Sequence, residues 1–197
     1  MNLDQYLVDT IKLLEILRDE KFQKNFDKAS KILLDAISNG GSIIICGNGG
    51  SHADAQHFAG ELINYFTKPH KALPVFTLGT NSTVATAWSN DHKFSDQFSR
   101  ELEAYRSQNS VLVAITTSGK SENVINALEK AGKMGFKRIA LTGSMGSSIL
   151  QKYCDVILAA DSDITHKIQE THIVMYHALC IYLEQNLPTE FLYESGA

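Results

Sequence analysis

The stretch SIIICGNGGS, from Ser42 to Ser51, passes from a short apolar run directly into a glycine-rich turn. Ile43–Cys46 is too short and too rich in β-branched residues for a buried helix, and it reads as a strand covered on both faces. Gly47-Asn48-Gly49-Gly50-Ser51 then opens a helical pattern. Outward from this unit the motif repeats. Strands are expected at Ser42–Cys46, Leu73–Leu78, Ser110–Ile115, Arg138–Thr142 and Asp155–Ala159. Helices are expected at Ser51–Phe66, Ser82–Ser89, Phe94–Tyr105, Ser121–Met134 and Ser147–Tyr153, with a long last one from about Asp163 to Glu184. Alternation of this kind predicts a doubly wound five-stranded parallel α/β sheet, flavodoxin-like or Rossmann-like, that binds ligands at the carboxyl ends of its strands. Two amphipathic helices precede it, with Leu7, Ile11, Leu14 and Leu17 on one and Phe26, Ala29, Ile32, Leu33 and Ile37 on the other. The reading is one domain over 1–197, with 1–40 as the N-terminal helices and 41–190 as the α/β sandwich.

Composition excludes several classes. The chain of 197 residues is 44% hydrophobic, and its 18 Lys and Arg against 22 Asp and Glu give a net charge of −4. Apolar runs stop far short of the roughly 20 residues a membrane-crossing helix needs, so no membrane partner is expected. The one basic stripe, Lys21, Lys24, Lys28 and Lys31, has helical spacing and reads as a solvated face, so no nucleic-acid partner is expected either. The N-terminus lacks the layout of a signal peptide, which places the chain in the cytoplasm by default. Cys46, Cys154 and Cys180 form no CxxC pair and no even disulfide set; they read as reduced, mostly core residues.

The loops at the strand ends carry the ligand chemistry. In Gly47–Ser51 the glycines let backbone N–H groups approach an oxygen-rich ligand at a helix N-terminus, but His52 stands where a dinucleotide fingerprint needs its third glycine. Thr116-Thr117-Ser118-Gly119-Lys120-Ser121 places four hydroxyls before another helix. One hydroxyl suffices for a helix cap, so this loop suits a phosphate monoester. It is not a P-loop, because the first glycine of that motif would fall on Ala114. Thr142–Ser148 reads mainly as a turn.

Among seven histidines, His70, His92 and His166 read as solvated. The informative set is His57 and Glu61, plus Gln169, His172 and His177 on the last helix. His57 and Glu61 stand one turn apart on the helix after the glycine loop, so both project from one face and can share a metal or a substrate. Gln169 and His177 are separated by about 12 Å of helical rise, whereas metal ligands lie about 2 Å from their ion. If both are ligands, the helix pairs with a copy of itself and each site mixes two subunits.

The ordered motifs CGNGGS (Cys46–Ser51), DAQHFAGEL (Asp54–Leu62), Asn90-Asp91, FSRELEA (Phe98–Ala104), TTSGKSENV (Thr116–Val124), LTG (Leu141–Gly143) and QETHIVMYH (Gln169–His177) resemble the bacterial phosphoheptose isomerases of the sugar isomerase (SIS) domain superfamily. The resemblance runs essentially the whole chain. It implies a homotetramer with active sites at subunit interfaces, the N-terminal helices serving oligomerisation. It also implies a zinc ion per subunit and conversion of D-sedoheptulose 7-phosphate to D-glycero-D-manno-heptose 7-phosphate for lipopolysaccharide core or other surface glycans. Carried over, the zinc ligands are His57, Glu61, Gln169 and His177. Substrate contacts fall on Asn48, Gly49, Gly50, Glu61, Asn90, Asp91, Thr116, Thr117, Ser118, Ser121 and Gln169. Relatives often have an arginine where Tyr65 stands, and Lys120 adds a cation beside the expected phosphate loop.

Shifting a carbonyl between C2 and C1 of a phosphorylated sugar takes a proton from one carbon and delivers one to its neighbour through an enediol. Glu61 is assigned as base and His177 as general acid. The non-enzymatic alternative within the superfamily is a tetrameric protein that binds the replication initiator. Such proteins lack the catalytic glutamate and the last-helix histidine, and this chain has both.

Overall fold

The strands form where β-branched residues cluster. They are β1 (Ile43–Gly47), β2 (Val75–Thr77), β3 (Val111–Ile115), β4 (Lys137–Gly143) and β5 (Val156–Ala160). The structure, a computed structural model, describes residues 2–105, 107 and 109–193. Met1 and residues 194–197, the ends of the span read as one domain, lie outside the described residues. All neighbouring strands are parallel, in the order β2-β1-β3-β4-β5. The expected doubly wound five-stranded sheet is therefore present, with the order reversing between β1 and β3. In such sheets that switch point opens a crevice for a ligand.

Every residue of β1 and β3 is buried, which explains their continuous apolar runs. Side chains alternate between two cores. Ile43 and Ile45 pack with α2 (Glu20–Ser38), α3 (Gly50–Ile63) and α8 (Thr165–Asn186), while Ile44 and Cys46 pack with α5 (Gln97–Leu102) and α6 (Glu122–Lys133). Register pairs Gly47 with Ile115, so the glycine loop and the hydroxyl loop leave the sheet side by side.

The remaining helices are α1 (Leu3–Ile16), α4 (Ser82–Asp91) and α7 (Ser144–Leu150). α1 buries no side chain, and Leu3, Leu7, Val8 and Ile11 are exposed. It is held on α8 by Tyr6, whose hydroxyl donates to Glu170 and whose ring carries the Lys167 ammonium 3.0 Å above it. The turn expected at Thr142–Ser148 is instead the end of β4 running directly into the start of α7. Its glycines serve close packing, since a Cβ on Gly146 would strike the Thr142 hydroxyl and the Gly119 nitrogen, and Asp163 accepts the Met145 N–H at 2.8 Å. The four lysines of the basic stripe are all exposed. No helix among the described residues is long and apolar enough to cross a membrane.

Candidate active site

The glycine loop reverses direction at Gly49, whose φ of +54° lies in the left-handed region that a side chain disfavours. Gly50 is flat for another reason: a Cβ there would run into the Gln169 amide of α8. Asn48 and Asn123 exchange two amide hydrogen bonds of 2.8 and 2.9 Å, tying the glycine loop to the first turn of α6. Asn123 was not among the residues expected at the site, because this bond joins positions 75 apart.

The hydroxyl loop rests on α7. Gly119, at φ +66°, lies backbone to backbone on Gly146, and the Thr117 carbonyl accepts from Gly143 N at 3.1 Å. Ser121 stands at the N-cap of α6, yet its hydroxyl makes no capping hydrogen bond. It is therefore left for another acceptor or donor. A cavity of about 530 Å³ opens here between Asn48, Lys93, Ser95, Ser121 and Asn123. A larger cavity of about 720 Å³ lies between α2 and β5 and is lined by none of the expected site residues. Asn90 and Asp91 close α4 and bond each other at 2.7 Å, both exposed.

α3 and α8 run in the same direction. Gly50 meets Gln169 near their starts, and a little further on His57 meets Tyr176 and His177. His57 places Nε2 2.9 Å from Glu61 Oε1 and Nδ1 2.8 Å from the Tyr176 hydroxyl. His177 stands edge-on to His57 with ring centres 5.2 Å apart, and its Nε2 is sealed from solvent with no partner among the described residues. The ligand atoms of His57, Glu61 and His177 all lie within 4.8 Å of one another. Burial, then the nearby His57, push the His177 imidazole below its ordinary value against the opposing Glu61 charge, which favours the neutral ring with a free lone pair. Gln169 lies at the other end of the helix pair, as the spacing along α8 requires.

Three groups that sequence reasoning did not single out support this cluster. Tyr176 is fully buried and stacked on Phe58, with ring centres 5.4 Å apart. Burial, then the neighbouring Asp54 charge, push its hydroxyl up, so it stays protonated. Asp54 is itself buried, which raises its carboxyl to about 6, and its Oδ2 has no partner among the described residues. Glu184, buried two turns after His177, accepts from the backbone N–H groups of Phe66, Thr67 and Lys68 and from the Thr67 hydroxyl. Burial alone would raise its carboxyl, but those bonds outweigh it and hold the group below the ordinary carboxylate value. The same segment leans Phe66 on His177 at 4.8 Å.

His70, expected to be solvated, is buried; its Nδ1 lies 2.8 Å from the Lys71 carbonyl and its Nε2 3.5 Å from Glu184. His172 faces the core, with Nε2 3.2 Å from the Thr142 carbonyl, and burial lowers it to about 4, so it is a neutral structural residue. His92 and His166 are exposed. Cys46 and Cys180 are buried, Cys154 is half-buried, and all three are free thiols.

The sequence matches the SIS domain family over residues 5–143. It is 42% identical to the phosphoheptose isomerase of Aliarcobacter butzleri over 168 residues, covering 85% of this chain and 88% of that protein. The chain belongs to the phosphoheptose isomerase family. A phosphoheptose isomerase of Campylobacter jejuni is 44% identical over 158 residues, 80% of this chain and 84% of that protein. Among solved structures, the phosphoheptose isomerase from Francisella tularensis superposes with a TM-score of 0.86 at 33% identity, covering 93% of this chain and 97% of that one. The enzyme from Neisseria gonorrhoeae gives 0.83 at 34% identity with the same coverage. The chain is thus an isomerase with the SIS fold.

Proposed function

We propose that this phosphoheptose isomerase family member converts D-sedoheptulose 7-phosphate to D-glycero-D-manno-heptose 7-phosphate, in the cytoplasm, as the first step toward heptose-containing surface glycans such as lipopolysaccharide core. The observation that carries the reading is the convergence of His57, Glu61 and His177 on α8 and on the helix that the β1 glycine loop opens. Two imidazoles and a carboxylate are a donor set that suits zinc, and the unpartnered, sealed Nε2 of His177 fits a ligand position. Zinc held by these three side chains would polarise the carbonyl and hydroxyl oxygens of the substrate.

The remaining steps belong to the chain. Thr116, Thr117, Ser118 and Ser121 hold the phosphate, with the uncapped Ser121 hydroxyl and the α6 N-terminus supplying donors. Asn48, Gly49 and Gly50 line the sugar, and Asn90 and Asp91 orient its hydroxyls. Glu61 takes the proton from C1 while His177 gives one to the C2 oxygen, which leaves the enediol; Glu61 then returns its proton to C2 and His177 recovers one from the C1 oxygen, which gives the aldose. Binding energy from the phosphate, remote from the reacting carbons, aligns them with Glu61.

Gln169 belongs to the same reading through a second subunit. Ile173, Val174 and Ile181 are exposed along α8, as are Leu3, Leu7, Val8 and Ile11 along α1, and both faces suit burial in a homotetramer. Gln169 of one subunit then completes the centre of another.

The test is to follow aldose formation from sedoheptulose 7-phosphate by purified, metal-quantified protein. Turnover lost to a chelator and restored by zinc is expected; no turnover by a zinc-replete tetramer would overturn the assignment. Mixing Gln169→Ala and His177→Ala subunits and reassembling them tests the shared site. Random pairing should regenerate about a quarter of the centres, and no recovery would confine each site to one subunit.

A further inference from the structure

His57 presents its two ring nitrogens to different neighbours. Nε2 faces Glu61 and the metal-ligand cluster, and Nδ1 faces the Tyr176 hydroxyl at 2.8 Å. An imidazole can give only a lone pair to a metal, so the nitrogen that binds must be bare and the other must carry the proton. The group opposite the second nitrogen therefore selects the tautomer and sets the ring plane.

In most metal sites that group is a carboxylate or a backbone carbonyl. Here it is a phenol that can both donate and accept. The Tyr176 ring cannot swing away, because it is fully buried and stacked on Phe58 with the planes 20° apart. Asp54 and Phe58 stand one turn apart on the buried side of α3, and Asp54 carries a sealed carboxylate oxygen with no partner among the described residues.

We propose that Tyr176 positions His57 for the metal: its hydroxyl accepts a hydrogen bond from Nδ1–H when Nε2 is given to the ion. With Nε2 engaged by Glu61 instead, the same hydroxyl reverses and donates to Nδ1. The ring is thus held in one plane in both states by a group that never leaves hydrogen-bond distance. This rests on the metal-centre reading above.

Tyr176→Phe removes one oxygen and keeps the stack on Phe58. Zinc affinity, read by competition with a coloured chelator, is expected to fall about ten- to a hundredfold. Phe58→Leu is the companion variant, since it loosens the same stack without touching the hydroxyl; its zinc affinity should fall clearly less than that of Tyr176→Phe although its thermal midpoint drops. Unchanged zinc affinity in Tyr176→Phe overturns the proposal, and so does an equal loss in both variants. His57→Ala separates this from failure of the metal centre itself. If it binds zinc as tightly as wild type, the metal reading falls and takes the proposal with it. If it loses zinc while Tyr176→Phe does not, only the role of Tyr176 falls.

Discussion

α3 and α4 both follow a strand of the sheet and both carry residues expected at the active site, but they are supported in opposite ways. α3 buries Ser51, Asp54, Ala55, Phe58, Ala59 and Leu62, so His57 and Glu61 stand on a helix whose other face is fixed in the core. α4 buries none of its residues, and its terminal Asn90 and Asp91 side chains bond only each other among the described residues. His57 and Glu61 are thus positioned by core packing within one chain, whereas Asn90 and Asp91 end a helix held mainly by Trp88 against His92 and Arg100. Groups that must hold a metal or move a proton within tenths of an ångström belong on the first kind of element. Groups that follow a substrate hydroxyl tolerate the second.

Substitution can test this contrast, and the largest expected effect is chemical. Glu61→Gln keeps the shape of the side chain and removes its basicity, so turnover should fall roughly 10²–10⁴-fold with the fold intact; near-wild-type turnover would remove Glu61 from the base role. Leu62→Ala opens a cavity beneath α3, where the side chain is fully buried. Denaturant melts should show a loss of about 2–5 kcal/mol, and a loss under 1 kcal/mol would mean that α3 is not held as described.

His172, in the core beside the same helix pair, gives a pH signature. Burial depresses its folded-state value from 6.5 to about 4, so its neutral form is the one that fits. Its share of stability is present above pH 6.5 and is lost as the pH falls toward 4, on the order of 3 kcal/mol. Unfolding free energies measured across that window should slope less in His172→Asn; parallel slopes would place the loss elsewhere. The smallest effect is expected on α4. Val84→Ser should change stability by no more than about 0.5 kcal/mol, and a larger loss would show that this face is covered in the assembled protein.

The sheet was legible in the sequence because its strands are buried on both faces, which leaves continuous apolar runs ended by glycine or hydroxyl turns. α7 was harder to read. Gly143 and Gly146 look like turn residues, yet they are small because Ile168 and Thr142 press against them. The expected site residues were legible through local spacing, as with His57 and Glu61, or through the resemblance. Tyr176, Asn123 and Glu184 were not, since each acts on a partner more than 70 positions away: His57, Asn48 and Thr67. His70 was misread for the same reason, because a histidine after Pro69 looks like a loop residue until Glu184 is folded against it.

The helix pair has one more consequence. α8 is attached to the α3 region at three heights: Gln169 against Gly50, Tyr176 and His177 against His57, and Glu184 against residues 66–68. Each added or removed residue in a helix turns everything beyond it by about 100°. Between Gln169 and Glu184 the chain can therefore exchange many side chains but cannot change its length by one residue. An insertion before Tyr176 would present a different face to His57, and one after His177 would leave His177 beside His57 while taking Glu184 away from the segment that carries Phe66.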